Sequence, residues 1–438
     1  MVYLDNAATT AMSEVALSSL MEVSTHIYGN PSSVYRFGRQ TKRLLEGSRK
    51  IIADCIGAEP EEIYFTSCGT ESDNWVMTKA TDKAKKVITS VVEHHAILHP
   101  AENQRLQGKN VLLLPVDSKC LVSIPELAAV LDKEPTLVSV MLQNNEVGAI
   151  QDVTEIARLV HEDNPESLVH TDAVQAVGHI KIDVKEMGID LLSASAHKFN
   201  GPKGIGFLYI SKKCSIAPYV VGGGQEKGMR SGTENVAGIY SMAKALEDNV
   251  ANMESIHNHI SELDSLLCTL LVENEIDFSI NGDSSSRAAG ILNIAISGID
   301  GEGLLNMLDM HDICISIGSA CNSKSQDRSH VLLAMGLDEA ILSGHPYPIR
   351  NIVAFGMNFR MFPESEKMRK ALLAAEFFVN VDLFQTDSSK CADLVLPCAA
   401  GSIFPRPCGK ESQAQREYQR QCFGILLHIM WVVLFPIQ

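Results

Sequence analysis

The chain has 438 residues, of which 45% are hydrophobic, and this is enough to build two or three domains with buried cores. Its 37 basic and 53 acidic residues give a formal net charge of -16, which disfavours nucleic acid as a partner. Eleven cysteines without a CxxC pair indicate no disulfide framework, and the first strand motif leaves no room for a signal peptide. A cytoplasmic location is therefore expected.

Six apolar runs predict strands, and each is followed by polar residues or by glycine. They cover residues 61–67, 86–92, 137–142, 167–172, 188–192 and 206–210. In parallel α/β sheets ligands bind at the carboxyl ends of the strands. We therefore expect the residues that follow these strands to converge on one site.

The first of these strands breaks at a turn that precedes a predicted helix from Glu71. The turn contains Gly69 and Thr70, and the start of a helix offers free N–H groups and the positive end of its dipole. The turn is thus a candidate phosphate site, and the alternative is an ordinary strand-to-helix cap.

His94 and His95 follow the second strand, and an imidazole there could move protons during catalysis. Tandem histidines also suggest a metal. A metal site needs three or four ligands at matched spacing, and no such pattern accompanies this pair, so we expect no metal.

Amides and a carboxylate follow the next two strands. Residues 137–142 run into a polar stretch that contains Asn145, and residues 167–172 end at Asp172, with Gln175 three positions later. A carboxylate there can keep a heterocyclic nitrogen protonated, while the amides can orient a ring oxygen and a substrate carboxylate.

Lys198 follows the fifth strand within a turn rich in glycine. Partial burial lowers the pKa of a lysine and frees the lone pair that a Schiff base with an aldehyde requires. Pyridoxal 5'-phosphate (PLP) is the commonest such aldehyde in enzymes. The alternative is a solvated turn lysine, but the neighbouring candidates favour PLP, with Asp172 at the pyridine nitrogen and His94 against the ring.

The rest of the chain contains a predicted connecting helix at 243–271 and a strand at 290–296. The apolar stretch 423–438 has sixteen residues, fewer than the roughly 20 that a bilayer span requires. A membrane anchor is therefore not expected.

Taken together, several ordered motifs resemble those of the cysteine desulfurases, the class V branch of the fold-type I PLP enzymes. The similarity spans residues 1–342 and is carried by residues 2–10, 28–33, 65–72, 144–148, 193–204, 230–235 and 316–321. It implies a fold-type I α/β transferase with a large, mostly parallel-sheet domain at 14–250. A small α/β domain would comprise residues 1–13 and 251–342.

The resemblance also implies residue roles. It makes Lys198 the lysine that binds PLP covalently and His94 the ring-stacking acid/base. The remaining cofactor contacts that it implies are Asp172 at the pyridinium, Gln175 and Asn145 at the phenolic oxygen side, and Gly69, Thr70, Ser195 and His197 at the phosphate. The equivalent of Thr233 contacts the phosphate of the neighbouring subunit, which implies a homodimer.

Cys321 lies among small and polar residues, as expected for an accessible loop. A thiolate attacks sulfur, and the family position makes Cys321 the persulfide carrier. The implied reaction takes sulfur from L-cysteine, leaves L-alanine and passes the persulfide to a sulfur-acceptor protein, for iron–sulfur cluster assembly or another sulfur-transfer pathway. A selenocysteine lyase or a class V aminotransferase would use the same cofactor site.

The sequence departs from the family after residue 342. A desulfurase should continue into a strand that carries an arginine for the substrate carboxylate, whereas residues 343–400 are similar to a fragment of the molybdopterin oxidoreductases. Arg350 is the one basic residue close to the expected position. This foreign extension and the tail at 401–438 leave open a fused or decayed chain that binds PLP but has weak activity.

Overall fold

A computed structural model describes residues 1–283, 287–299, 301–318, 329–337, 351–355, 369–370, 372–373, 377–382 and 394–397. The chain divides into two compact units, Met1–Asp327 with Gln419–Gln438, and Arg328–Tyr418. The boundaries expected for the large and small domains stay predictions.

The helices of the described residues range from one turn to six. They are α1 (Glu14–His26), α2 (Arg36–Ile56), α3 (Gly69–Lys79), α4 (His95–Leu106), α5 (Ile124–Val130), α6 (Val153–Asp163), α7 (Val236–Ala251), α8 (Met253–Glu273), α9 (Gly301–Asp309) and α10 (His330–Leu332). Short 3-10 turns cover Pro60–Glu62, Ala80–Asp82, Ala196–Lys198 and Glu226–Gly228, and a π turn covers Leu333–Leu337.

Within the described ranges, the strands form four sheets. The strands are β1 (Val2–Tyr3), β2 (Ile63–Thr66), β3 (Lys86–Ser90), β4 (Asn110–Leu114), β5 (Thr136–Ser139), β6 (Leu168–Asp172), β7 (Leu191–Ser195), β8 (Gly206–Ile210), β9 (Phe278–Ile280), β10 (Ile294–Ile296), β11 (Ile313–Cys314), β12 (Asn351–Phe355), β13 (Phe377–Asp382) and β14 (Leu394–Pro397).

The largest sheet has seven strands in the order β2-β8-β7-β6-β5-β3-β4. Strands β3 to β7 are parallel, and β8 is antiparallel to both β7 and β2. The central strands are buried except for Leu168 at the start of β6, because helices pack on the sheet, which explains their apolar runs. The predicted α/β fold with a mostly parallel sheet is confirmed.

Two details differ from the sequence prediction. The strand predicted at 188–192 lies at β7, because Gly188 adopts a left-handed backbone (φ 68°) that keeps the residues before Leu191 in a turn. The helix predicted at 243–271 is two helices that meet at Asn252, whose side chain donates to Asp248 O at 2.9 Å. Asparagine competes in this way with the helical hydrogen bonds.

Two small sheets complete the first unit. Strand β1 pairs with β11 in parallel, so the first residues of the chain lie beside residues 313–314. Strands β9 and β10 form an antiparallel pair, and β10 lies within the strand predicted at 290–296.

In the second unit, β12, β13 and β14 form a parallel sheet in chain order. The similarity of this segment to a molybdopterin oxidoreductase fragment stays a prediction. No helix in the described part of the chain is long and apolar enough to span a bilayer.

Candidate active site

The candidate residues lie at the carboxyl ends of β3, β5, β6 and β7. Lys198 follows β7 in the turn Ala196–Lys198 and is 6% exposed. Its Nζ donates to the carbonyls of Ala7 and Ala8, the latter at 3.0 Å. The predicted buried lysine is therefore present, and the N-terminal segment covers its amine.

The N-terminal segment is anchored to the turn after the lysine. Thr10 Oγ1 accepts a hydrogen bond from Asn200 N at 2.9 Å and donates to His197 O at 3.0 Å. His197 Nδ1 lies 3.1 Å from Thr9 Oγ1. Sequence reasoning gave Thr9, Thr10 and Asn200 no individual role, although the motif at residues 2–10 marked the segment.

Asp172 ends β6, the strand beside β7, and is 5% exposed. Burial raises the pKa of Asp172, while a hydrogen bond from Val174 N at 2.9 Å and the charge of Lys198 oppose the shift. The hydrogen bond and the lysine charge favour the ionised form of Asp172, which suits its predicted pairing with a protonated ring nitrogen.

The amide candidates behave differently from one another. Gln175 Nε2 donates to Ala7 O at 3.0 Å, so it contacts the same carbonyl as Lys198. Asn144 is structural, because its Oδ1 accepts from Glu146 N at 2.9 Å. Asn145 is half-buried beside it, and it remains the amide predicted for cofactor and substrate.

The turn between β2 and α3 adjoins β7, as a phosphate site requires. A Cβ atom at Gly69 would lie 2.5 Å from Val174 Cγ2 and 3.6 Å from Ser195 Cβ, so a larger residue there would force Val174 to move. Ser195 Oγ is buried, and no hydrogen-bond partner for it occurs within the described ranges. Thr70 is exposed on the first turn of α3.

These features fit a phosphate group, because an unpartnered hydroxyl and a helix start without side-chain obstruction lie side by side. His197 follows Ser195 by two residues. Burial, with the charges of Lys198 and Lys203, lowers the pKa of His197 to about 4, so the imidazole is neutral at neutral pH.

An ion pair that the sequence did not predict contacts the turn between β2 and α3. Arg230 Nε donates to Glu71 Oε1 at 2.7 Å, and Glu71 Oε2 accepts from Ser67 N at 2.8 Å. Arg230 and Thr233 line a cavity of about 210 Å³ together with Ser67. Thr233 itself is exposed.

His94 precedes α4 directly, after β3, and is half-buried. Its Nδ1 accepts a hydrogen bond from Ala96 N at 3.1 Å. The neutral ring therefore carries its proton on Nε2, which fixes the ring orientation that an acid/base residue needs.

Two predicted site residues, Cys321 and Arg350, lie outside the described residues, so their roles stay predictions. Among the described residues, no group of three or more His, Cys, Asp or Glu side chains is placed to hold a metal ion.

The fold is that of an α/β enzyme, and the arrangement is a candidate cofactor site centred on a lysine. Residues 2–336 match the model of the family described as aminotransferase class-V. The chain is 44% identical over 348 residues to "Cysteine desulfurase IscS" of Methanosarcina thermophila, which covers 78% of this chain and 85% of that protein.

Solved structures support the same family. A "NifS-like protein" superposes with a TM-score of 0.72 at 37% identity, covering 77% of this chain and 90% of that one. "SspA in complex with cysteine" has a TM-score of 0.67 at 30% identity, covering 77% and 94%. The chain belongs to the cysteine desulfurase family of the class V aminotransferases, whose cofactor is PLP.

Proposed function

We propose that this protein is a PLP-dependent cysteine desulfurase that converts L-cysteine to L-alanine and holds the sulfur as a persulfide on Cys321. The observation that carries the proposal is the placement of Lys198, buried at the end of β7 beside Asp172 at the end of β6. The comparison with a structure titled as a complex with cysteine supports this substrate.

The described residues have distinct tasks in binding the cofactor. Lys198 is the residue that binds PLP covalently, and its burial keeps water from the linkage. Ser195, Gly69, Thr70 and His197 hold the phosphate. The Asp172 carboxylate would accept a hydrogen bond from the protonated pyridine nitrogen, and Gln175 and Asn145 would bind on the side of the phenolic oxygen.

When bound, PLP supplies an electron sink for the pair left by removal of the Cα proton of cysteine. His94 would stack on the ring and move protons, and the hydrogen bond from Ala96 N to its Nδ1 fixes which nitrogen carries the proton. The Cys321 thiolate attacks the substrate sulfur. The new S–S bond forms as the Cβ–S bond breaks, and the electron pair stays with the carbon skeleton, which is protonated to alanine.

The finer assignments rest on the family resemblance. We propose a homodimer in which Thr233 contacts the phosphate of the neighbouring subunit, a cytoplasmic location, and a protein as sulfur acceptor.

One alternative has an observation in its favour. Past residue 337 the described chain forms a separate parallel sheet, β12 to β14, which leaves open a desulfurase that binds PLP but turns over weakly. A selenocysteine lyase or an aminotransferase would share the cofactor site.

The test compares the parent with Lys198→Ala and Cys321→Ser. The parent should be yellow, form a borohydride-reducible link to PLP, and release alanine from cysteine with protein-bound persulfide. Lys198→Ala should lose the covalent link and keep the fold. Cys321→Ser should keep PLP and lose persulfide and turnover.

A parent that binds PLP but makes no alanine supports the weak-activity alternative. A reducible link that persists in Lys198→Ala refutes the lysine assignment. Sulfide release by Cys321→Ser at the parental rate excludes Cys321 as the nucleophile and favours a lyase.

A further inference from the structure

Residues 219–233, which we call the edge loop, contain Arg230 and Thr233 of the candidate site and are built on an unfavourable backbone turn. Glu226 (φ 46°) and Lys227 (φ 58°) both lie in the left-handed region, where a Cβ atom crowds the following carbonyl oxygen. Two consecutive residues with side chains keep this conformation only when surrounding contacts fix them. The turn therefore indicates that a strong contact holds the loop.

The side chain of Glu226 makes that contact. Its Oε1 accepts a hydrogen bond from Arg49 Nη2 at 2.7 Å, and its Oε2 accepts from Arg49 Nη1 and from Phe65 N, both at 2.9 Å. The side chains of Arg49 and Glu226 are 4% and 3% exposed. Because a bidentate pair allows only one relative orientation of the two groups, it fixes Glu226 against strand β2.

Arg49 binds the same strand. Its Nη1 donates to Ile63 O at 2.6 Å, and its guanidinium lies 4.5 Å from the centre of the Phe65 ring. Strand β2 is an outer strand of the seven-stranded sheet. Arg49 and Glu226 thus bind backbone groups of β2 on the side where a further strand would pair, and the edge loop covers this side.

The edge loop is closed on itself, so the position of Glu226 influences the position of Arg230. Three hydrogen bonds join its two arms, from Tyr219 N to Met229 O at 2.9 Å, from Ser231 N to Val220 O at 2.8 Å and from Gly232 N to Gln225 Oε1 at 3.0 Å. Met229 N also donates to Glu226 O at 3.0 Å. The left-handed turn and Arg230 therefore belong to one hydrogen-bonded unit.

Arg230 connects this unit to the candidate phosphate turn. Its Nε donates to Glu71 Oε1 at 2.7 Å, and its Nη2 donates to Glu71 Oε2 at 3.1 Å. Glu71 directly follows Thr70 on the first turn of α3. The edge loop thus contacts β2 through Glu226 and the phosphate turn through Arg230.

We propose that Arg49 and Glu226 are positioning residues for the phosphate site: their pair fixes the left-handed turn of the edge loop, and the loop thereby holds Arg230 on Glu71. Arg230 neutralises the Glu71 carboxylate, so a loop released from β2 would leave a negative charge beside the phosphate. This role rests on the proposed function, because the phosphate concerned is that of PLP.

The first measurement is the titration of apoprotein with PLP, followed by visible absorbance, for the parent and for Arg49→Met/Glu226→Met. The variant leaves no unpaired buried charge, but its side chains cannot hold the loop to Phe65 N. We expect its Kd for PLP to rise about ten-fold, as for Arg230→Ala. A Kd equal to that of the parent would overturn the proposal, because the pair would then be only structural.

Combined variants test whether the pair acts through Arg230. In the Arg230→Ala background, Arg49→Met/Glu226→Met should change the Kd by less than about two-fold, because the residue that the loop positions is already absent. Independent effects would instead multiply, to about a hundred-fold relative to the parent. A multiplied effect would overturn the proposal, since the pair would then act by another mechanism.

Asp190→Asn is the matched control for a general loss of stability. Asp190 is also buried, its Oδ2 accepts from Val169 N at 2.9 Å, and the same oxygen lies 2.8 Å from His161 Nε2. These contacts lie near the amino end of β6, whereas the candidate site lies at the carboxyl ends. Asp190→Asn should lower the free energy of unfolding and keep the parental Kd for PLP. If it raises the Kd as much as Arg49→Met/Glu226→Met does, PLP affinity follows global stability and the proposal is wrong.

A measurement on the parent applies if Arg49→Met/Glu226→Met does not fold. Coupling between two sites is reciprocal, so PLP must stabilise the edge loop if the loop supports PLP binding. Hydrogen exchange of the Phe65 and Ser231 amides should slow about three-fold or more when PLP is added. PLP binding that leaves this exchange unchanged would refute the role of the pair alone. A parent that forms no borohydride-reducible link to PLP would refute the proposed function together with this role, so the two failures are distinguishable.

Discussion

Lys198 Nζ and Ala8 O lie 3.0 Å apart, although 190 positions separate the two residues. Because of this contact, the N-terminal segment, residues 7–10, lines one side of the Lys198 site. Thr10 anchors the segment to the turn around Lys198 through its hydrogen bonds with Asn200 and His197. The stability of the segment and the affinity for the cofactor should therefore be linked.

The first prediction tests that link with Thr10→Val, which keeps the side-chain shape and removes the hydroxyl. Thr10 is 6% exposed, so the Asn200 N–H would lose the Thr10 Oγ1 acceptor at a position that water scarcely reaches. We expect the free energy of unfolding to fall by about 1–3 kcal/mol and PLP to bind more weakly. Denaturant unfolding of the apoprotein and titration with PLP measure the two effects.

Thr10→Ser is the control, because it retains the hydroxyl and should behave like the parent. If Thr10→Val matches Thr10→Ser in both measurements, the anchor has no energetic importance.

The second prediction concerns the Arg230–Glu71 pair at the phosphate turn. Arg230→Ala would leave a partly buried carboxylate on the first turn of α3, with Ser67 as its remaining donor among the described residues. The carboxylate would then repel the phosphate of PLP. We expect the Kd for PLP to rise about ten-fold, the effect of roughly 1.4 kcal/mol.

The double variant Glu71→Gln/Arg230→Ala removes the charge along with its partner. It should recover most of the affinity in the same apoprotein titration. A double variant that binds PLP as weakly as Arg230→Ala would show that repulsion by Glu71 is not the cause.

Much of this site was predictable because its parts have side-chain signals at strand ends. Lys198, Asp172 and Gly69 follow apolar runs, and parallel strands bring such positions to one edge of the sheet. The strand predicted at 206–210 is β8, but its antiparallel direction depends on pairing with β2 and β7, which no local pattern encodes.

The contacts that the sequence did not predict are tertiary. Asp73 and His170 have the pattern of ordinary helix and strand residues, and only the packing of α3 on the sheet brings them together. The carbonyls of Ala7 and Ala8 are backbone groups that any residue would supply. The break at Asn252 came from one side chain within an otherwise continuous helical periodicity.

The third prediction tests a buried ion pair that supports the β2 strand. Arg49 donates from Nη2 to Glu226 Oε1 at 2.7 Å, both side chains are at most 4% exposed, and Glu226 Oε2 accepts from Phe65 N. Arg49→Ala leaves Glu226 charged and buried. We expect the free energy of unfolding to fall by about 3–5 kcal/mol.

Lys185→Ala breaks an exposed pair with Glu59 of similar length, 2.6 Å, and should leave denaturant unfolding unchanged. The double variant Arg49→Met/Glu226→Met should recover much of the lost stability, because no unpaired charge remains. Equal stability of Arg49→Ala and Lys185→Ala would contradict this account.

The last prediction concerns the C-terminal segment, where the family match ends at residue 336 and the described strands β12 to β14 form their own parallel sheet. A charge-assisted arginine–carboxylate pair contributes about 1.5–3 kcal/mol, or roughly ten- to a hundred-fold in affinity. From the sequence, two prolines near Arg350 predict an extended chain there, and the predicted similarity of the segment is to another fold. We therefore expect Arg350→Ala to leave the KM for cysteine unchanged.

Replacing residues 343–438 with a desulfurase-type C-terminus should then raise kcat/KM for alanine formation by at least about ten-fold, the lower end of the arginine estimate. Initial rates at varied cysteine concentration measure both variants against the parent. If Arg350→Ala raises KM ten-fold, Arg350 binds the substrate carboxylate after all. If the graft gives no gain, the present segment already completes the site, because the missing contact would otherwise have been restored.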